Sequence, residues 1–180
     1  TFRIPLERLS QSDKDWVQSQ ASKTQAGSVP SAAVSLRALG VALLTHHDIH
    51  RSFPPKALVS DDGAALLSWR VLLLEPLGYK GLAAAFRYDE PWNSDHNGKL
   101  IPLMPAVFRG EAELWASGKT PYVAVVSQAG VISDRYSTRL SDVKDPSNQT
   151  LVLTEVVPTA APVWTQPADP AVEVSRNFGK

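Results

Sequence analysis

The chain has 180 residues, with 18 lysines and arginines balanced by 18 aspartates and glutamates, and it has no cysteine. Its 43% hydrophobic and 20% charged residues are typical of one globular domain with a core, which excludes a wholly disordered chain. The balanced charge argues against nucleic-acid binding, and the lack of cysteine excludes disulfides, thiolate-bound metals and a thiol nucleophile. Composition alone therefore indicates no function.

The first 27 residues predict an N-terminal arm. Apolar side chains alternate in Thr1–Leu6, as in a β-strand, and Pro5 restricts that strand to a sheet edge. Ser10–Lys23 is polar and predicts a surface helix or a linker, and a glycine and a proline then mark a break. We therefore expect an arm over 1–27 and a folded domain over 28–180.

The strongest helix prediction covers Ser31–Asp48. Leucines and a histidine recur there at steps of three and four residues, which places them on one helical face. These residues are Leu36, Leu39, Leu43 and His47. Because proline cannot continue a helix, we expect Phe53-Pro54-Pro55 to end the element.

The rest of the sequence predicts short helices followed by strands. We expect a turn at Asp61–Gly63 and a polar loop at Asp89–Gly98 that holds Trp92. The predicted helices are Trp69–Leu77 and Tyr79–Arg87, and the predicted strands are Val107–Phe108, Pro121–Ser127 and Thr150–Val157. Helices before strands favour an α+β fold with an antiparallel sheet.

Two histidines have a spacing that can hold a metal ion. His46 and His50 are four residues apart, so both imidazoles lie on one helical face. No glutamate lies between them, as a zinc protease would require, and Asp48 points to a different face. A capping or exposed role at the helix end is therefore favoured over a metal site.

A second weak metal pattern lies in the polar loop. Oxygen-bearing side chains alternate at Asn93, Asp95 and Asn97, as in the first half of a calcium-binding EF-hand loop. The first position is not an aspartate, and the twelfth is Met104 instead of a bidentate glutamate. A loop held by its own hydrogen bonds is the favoured interpretation.

Other motifs are incomplete. Ser117–Thr120 resembles the end of a phosphate-binding loop, but Glu113 occupies the position of an essential glycine, so we interpret the segment as a turn before a strand. Asn148 begins an N-glycosylation acceptor pattern, which arises easily by chance. A hydrolase built on loop acids and histidines stays open as an alternative; its residues would be Asp89, Glu90, Asp95, His96 and His47.

Four segments, taken together, resemble the large planctomycete family catalogued as domain of unknown function 1559. They are Leu39–Leu43 with His47-Asp48 and Phe53–Pro55; Leu67–Leu74; Asp89–Asn97; and Asp145–Thr150 with Val163–Thr165 and Pro167. The residues that carry the family motif are His47, Asp48, Ser68, Trp69, Arg70, Asp89, Pro91, Trp92, His96, Asn97, Asn148 and Trp164.

The resemblance implies a secreted or surface protein of pseudopilin type, in which an N-terminal helix packs on an antiparallel sheet and no reaction is established. Three features depart from the family pattern. The apolar prepilin helix is replaced by Ser10–Gly27, Gly110 stands where a cysteine is common, and the closing His-to-Asp-Gly motif is absent. We therefore interpret the chain as a processed fragment or a domain of a larger protein. It has no membrane span, because no apolar run approaches ~18 residues.

These observations favour a non-enzymatic, extracytoplasmic domain, periplasmic or at the cell surface, that acts in a larger protein assembly without a cofactor. The alternatives are a metal-dependent hydrolase or a calcium-binding surface module that uses the Asp89–His96 loop. We expect the motif tryptophans to be buried as braces of the scaffold, and His47 and Asp48 to form a buried hydrogen-bonded pair.

Overall fold

The computed structural model describes residues 2–3, 12, 15, 29–126, 130–133, 137–143 and 151–170. One long helix, a small antiparallel sheet, a β-hairpin and several short helices form an α+β fold, as predicted. The elements are β1 (Phe2–Arg3), α1 (Ala32–His50), β2 (Ala57–Val59), β3 (Ala65–Ser68), α2 (Trp69–Leu72), α3 (Lys80–Ala85), α4 (Ala112–Ala116), β4 (Tyr122–Ala124) and β5 (Leu151–Glu155). Segments of 3-10 helix are Asn97–Leu103, Ala106–Phe108, Leu140–Asp142 and Pro158–Ala160.

Helix α1 confirms the main helix prediction. Its buried residues extend beyond the single helical face that the leucine spacing predicted. It contacts β1 and β5 of the sheet on one side and the 3-10 turn Ala106–Phe108 on another. Burial on several faces explains the helix composition, since small and apolar residues outnumber polar ones. The buried residues are Ser35, Leu36, Ala38, Leu39, Gly40, Val41, Ala42, Leu43, Leu44 and His46.

Helix α1 ends at a left-handed cap residue, Arg51, which the sequence did not indicate. Arg51 has a φ of 61°, in the left-handed region, and its backbone N–H donates a hydrogen bond to the His47 carbonyl at 2.7 Å. The helix ends at His50, so the prediction that it ends before Phe53-Pro54-Pro55 is confirmed, with Asp48 replaced by His50 as the last residue. A side chain with a Cβ is strained in this conformation, which glycine adopts freely.

We expect Arg51→Gly to raise the free energy of unfolding by about 1 kcal/mol, because it removes the strain of a Cβ at a left-handed helix end. Denaturation in urea, followed by circular dichroism, measures the change. Arg51→Ala is the matched control, since it removes the exposed charged side chain and keeps the Cβ. If alanine stabilised the protein as much as glycine, the strain would not be the cause.

The three-stranded sheet has the order β1-β5-β4 and is antiparallel throughout. Strands β4 and β5 confirm two predicted strands in shorter form, and β1 confirms an edge strand over Phe2–Arg3. The predicted strand at Val107–Phe108 is wrong. Those residues form a buried 3-10 turn, in which the Phe108 N–H donates to the Pro105 carbonyl at 3.0 Å.

The hairpin of β2 and β3 is joined by the predicted turn at Asp61–Gly63. Leu58 pairs with Leu67 across the hairpin, and Gly63 has a φ of 85°, which the tight turn requires. Strands of three or four residues are too short for a pattern of period two to stand out, so the sequence indicated only the turn.

The two predicted short helices are present but shorter than expected. The predicted helix Trp69–Leu77 is helical only at α2 (Trp69–Leu72), and turns follow it as far as Gly78. Helix α3 (Lys80–Ala85) lies within the predicted Tyr79–Arg87. Pro76 and Gly78, near the end of the predicted helix Trp69–Leu77, explain why α2 does not continue.

The predicted arm is only partly described. Ser12 and Asp15 are helical and exposed, and the remainder of Ser10–Lys23 lies outside the described residues. Phe2 and Arg3 pair with β5, so this strand joins the sheet of the main domain. The division into 1–27 and 28–180 stays a prediction.

Candidate functional site

The motif residue Arg70 is completely buried and forms hydrogen bonds with several groups. Its Nε and Nη2 donate to the Tyr122 carbonyl at 3.1 and 2.8 Å, and its Nη1 donates to the Ser68 hydroxyl at 2.9 Å. Nη2 also forms a salt bridge with Asp169, whose side chain is 1% exposed. A buried guanidinium is tolerated only when its charge and its donors are matched in this way.

Asp169 also bonds to Trp69, so a second residue of the motif joins the Arg70–Asp169 ion pair. The Trp69 indole Nε1 donates to Asp169 Oδ2 at 2.7 Å, and the Arg70 guanidinium carbon lies 4.7 Å from the centroid of the Trp69 ring. The Ala124 N–H lies 3.4 Å from the same oxygen. Both carboxylate oxygens therefore have partners within the chain.

The Arg70–Asp169 pair covers the edge of β4 that faces away from β5. On the paired side, the Val125 N–H donates to the Val152 carbonyl at 2.8 Å. On the opposite side, the Tyr122 carbonyl and the Ala124 N–H meet Arg70 and Asp169. The two side chains thus satisfy backbone groups that another strand would otherwise have to pair, which protects an edge that could aggregate.

The polar loop Asp89–Gly98 is organised around Asn97, which is fully buried. The Asn97 Oδ1 accepts from the Arg87 N–H at 3.0 Å, and its Nδ2 donates to the Arg87 carbonyl at 2.9 Å. The carbonyls of Glu90 and Pro91 lie 3.1 and 3.2 Å from the same nitrogen. The Asn97 side chain therefore adds to the backbone hydrogen bonds of the loop, in which the Glu90 and Ser94 N–H groups donate to the Arg87 and Pro91 carbonyls.

Other loop residues form a second set of hydrogen bonds. The Ser94 hydroxyl donates to Glu90 Oε2 at 2.7 Å, and Arg87 forms a salt bridge with the other oxygen, also at 2.7 Å. The hydrogen bonds from Arg87 and Ser94 lower the pKa of Glu90 below its usual value. The His96 Nε2 lies 2.8 Å from the Ala85 carbonyl, which ties the loop to α3.

The three candidate calcium ligands of this loop, Asn93, Asp95 and Asn97, do not form a set of free ligands. Asn93 and Asp95 are exposed, whereas the Asn97 oxygen already accepts the Arg87 N–H inside the loop. Among the described residues, no group of three histidine, cysteine, aspartate or glutamate side chains could hold a metal ion. The geometry favours the hydrogen-bonded loop.

We expect Asn97→Ala to lower the free energy of unfolding by about 3 kcal/mol, because it removes a fully buried side chain that bonds to the Arg87 N–H and the Glu90 carbonyl inside the loop. Asn93→Ala, at an exposed position of the same loop, should change it by less than about 0.5 kcal/mol. Guanidinium denaturation of both variants checks the prediction. Equal effects of the two substitutions would contradict the role assigned to Asn97.

Trp164 is buried, as predicted for a brace, whereas Trp92 is only partly buried against the core. Trp164 is fully buried, and its Nε1 donates to the Ile101 carbonyl at 2.9 Å. Its ring stacks on Phe108 at 5.7 Å and meets the edge of Phe86 at 5.8 Å. Trp92 is half-buried, and its backbone N–H donates to the Leu66 carbonyl at 2.8 Å, which fixes the polar loop beside β3.

Two glycines occupy positions with no room for a side chain. Gly118, within Ser117–Thr120, has a φ of 71°, and a Cβ there would collide with Ile101. This segment is the turn before β4, as predicted. At Gly110, where the resembled family often has cysteine, a Cβ would lie 2.7 Å from the Pro121 ring.

The C-terminal end of α1 borders a cleft of about 430 Å³. Its lining includes the imidazoles of His46 and His50, the loop residue Ser52, and Glu75 and Tyr88. The two imidazole centroids are 4.3 Å apart, and the His46 Nδ1 lies 3.0 Å from the Ser52 carbonyl. Burial lowers the pKa of His46, and the neighbouring histidines act in the same direction. Burial raises the pKa of Tyr88, and Glu75 adds to this effect.

The expected buried pair of His47 and Asp48 is wrong, because Asp48 is exposed. The His47 ring instead lies 4.8 Å from the Phe53 ring, and its Nε2 accepts the Leu140 N–H at 3.2 Å. His47 therefore still positions the Phe53 loop, by ring packing and by a bond to a distant segment. Asp89 and Pro91 are exposed loop residues, and Asn148 lies outside the described residues.

Asp169 is the one central residue that the sequence did not indicate. It lies 99 residues from Arg70 along the chain, two residues after Pro167, the last residue of the segments that carry the resemblance. A buried arginine requires an acid, which is the signal that could have prompted a search for one. The sequence nevertheless offers many acids and no means of choosing among them.

Comparison with known proteins supports the resemblance. Residues 33–109 match the family described as "Protein of unknown function (DUF1559)". This match covers fewer than half of the residues. It includes α1 from its second residue, the Ser68-Trp69-Arg70 segment and the Asn97 loop, and it does not reach Trp164 or Asp169. No curated protein and no solved structure matches the chain.

Proposed function

We propose that this chain is a non-enzymatic, pseudopilin-like structural or protein-interaction domain that acts outside the cytoplasm, in the periplasm or at the cell surface. It would serve as a subunit of a larger assembly. The location and the pseudopilin character rest on the resemblance to the DUF1559 family, and the match over residues 33–109 supports that resemblance.

The observation that carries the structural role is that two motif side chains, Arg70 and Asn97, are buried and bonded to partners within the chain. Arg70 is occupied by Tyr122, Ser68 and Asp169, and Asn97 by the backbone of its own loop. A residue that acts on a substrate must present a donor, an acceptor or a charge to it. Side chains that are buried and fully bonded in this way position the scaffold instead.

No described helix is both long enough and apolar enough to cross a bilayer. Attachment to an assembly would therefore use surfaces of the described domain or other parts of the protein. Several large apolar side chains are exposed and available for contacts with partners. They are Val29, Ile49, Val59, Tyr88, Leu103, Trp115 and Val157.

The direct experiment is fractionation of the cells that produce the protein, followed by native electrophoresis after mild crosslinking. The proposal predicts an extracytoplasmic protein in a species several times heavier than the 19.5 kDa chain. An uncrosslinked monomer confined to the cytoplasm would refute both parts of the proposal. A fractionation marker for each compartment serves as the control.

The alternative is a metal-dependent hydrolase or a calcium module that uses the Asp89–His96 loop. Its acids are present, but Glu90 is held by Arg87 and Ser94, and His96 is held by Ala85. Thermal unfolding with and without added Ca²⁺ or Zn²⁺ separates the possibilities. A stabilisation that Asp95→Asn abolishes would favour the alternative.

A further inference from the structure

We propose that His46 and His50 form a binding site for a divalent cation of borderline softness, such as Cu²⁺, Ni²⁺ or Zn²⁺, at the C-terminal end of α1. This site is separate from the Asp89–His96 loop. It goes beyond the structural role proposed above and does not depend on it.

The first argument is the geometry of the two rings. Residues four apart lie on one face of a helix, and the imidazole centroids here are 4.3 Å apart with a tilt of 37°. Two imidazoles that share one ion, at a metal–nitrogen distance of about 2.1 Å, have centroids about 5 Å apart. His50 is exposed, so its ring is free to rotate toward that arrangement.

The second argument is the hydrogen bond that orients His46. The Ser52 carbonyl can only accept, so the His46 Nδ1 at 3.0 Å carries the proton. In the neutral ring, the lone pair is then on Nε2. Histidines that ligate metals commonly donate their second nitrogen to a carbonyl in this way, which fixes the ring and its tautomer.

The third argument is access. His46 is 7% exposed and held in place, whereas His50 is exposed, and both line the cleft of about 430 Å³. Within the described part of the chain, the ring nitrogens of His50 have no hydrogen-bond partner. The cleft leaves room for water to complete the coordination of an ion that two histidines hold.

The ligand set determines the kind of ion. Imidazole nitrogen suits copper, nickel and zinc, whereas calcium and magnesium require oxygen ligands. Copper should bind more tightly than nickel or zinc, following the general order for divalent ions. The same preference distinguishes this site from a calcium site in the Asn97 loop.

The test is calorimetric titration of the chain, without an affinity tag, with Ni²⁺ and Zn²⁺ in a buffer that does not bind metals. We expect one equivalent to bind, with an affinity at least about tenfold weaker in His50→Ala, because the chelate is lost. His96→Ala is the matched control, since it also removes one histidine and should leave the affinity unchanged. Circular dichroism verifies that each variant is folded.

A second readout keeps the test independent of any change in stability. The electron paramagnetic resonance spectrum of bound Cu²⁺ should show two nitrogen ligands in the original chain and fewer in His50→Ala. The proposal is overturned if no ion binds at about 100 μM, a very weak affinity. It is equally overturned if His50→Ala binds as tightly as the original chain, or if His96→Ala loses as much affinity.

Discussion

Arg70→Met is expected to lower the free energy of unfolding by about 3–5 kcal/mol, because it leaves the Asp169 carboxylate buried without its cation. The substitution keeps most of the side-chain volume, so an empty cavity contributes little. The Tyr122 carbonyl at the edge of β4 also loses its two donors. For a chain of this size, the melting temperature should fall by roughly 10 °C.

Guanidinium denaturation followed by circular dichroism measures this loss. Arg109→Met is the matched control, because Arg109 is only half-buried and its guanidinium carbon lies 5.0 Å from the centroid of the partly exposed Trp115 ring. We expect the control to cost about 1 kcal/mol or less. A similar cost for both variants would show that burial of the Arg70 charge is not the decisive feature.

Trp164→Ala should cost about 3–5 kcal/mol, because a fully buried indole leaves a large cavity. The ring lies between Phe108 and Phe86, so its loss also removes two aromatic contacts. Trp164→Phe should cost less, about 1–2 kcal/mol, since it keeps an aromatic ring and loses the hydrogen bond to Ile101.

The control for this prediction is Trp115→Ala, at a tryptophan that is 39% exposed. The free energy of unfolding of the Trp115→Ala variant should fall by no more than about 1 kcal/mol. Urea denaturation of the three variants, with the transition followed by circular dichroism, gives the comparison. If Trp164→Ala were no more destabilising than Trp115→Ala, Trp164 would not act as a brace.

The elements that the sequence predicted are those with enough residues to show a period. Helix α1 is long and apolar, the predicted segment 121–127 around β4 holds three valines, and β5 holds two leucines and a valine, so their patterns were clear. Hairpin strands of three or four residues carry no such signal. The error at Val107–Phe108 has a similar origin, because a buried apolar pair after a proline fits a strand and a 3-10 turn equally well.

Sequence could identify the members of the candidate sites, but not their partners. Ser68, Trp69 and Arg70 were recognised as a motif, and the acid that completes them lies in a distant segment. Asn97 was recognised as part of a loop pattern. The direction of its amide, toward the backbone of its own loop, depends on the three-dimensional course of residues 87–97 and separates a loop brace from a calcium ligand.

A double-mutant cycle between Arg70 and Asp169 tests most directly whether the motif side chains hold the scaffold together. The variants are Arg70→Met, Asp169→Leu and the double variant, compared by their free energies of unfolding. We predict a coupling free energy of at least about 2 kcal/mol, with the double variant more stable than the sum of the single losses implies. If the two single losses of free energy of unfolding simply added up in the double variant, the Arg70–Asp169 pair would not hold the scaffold together.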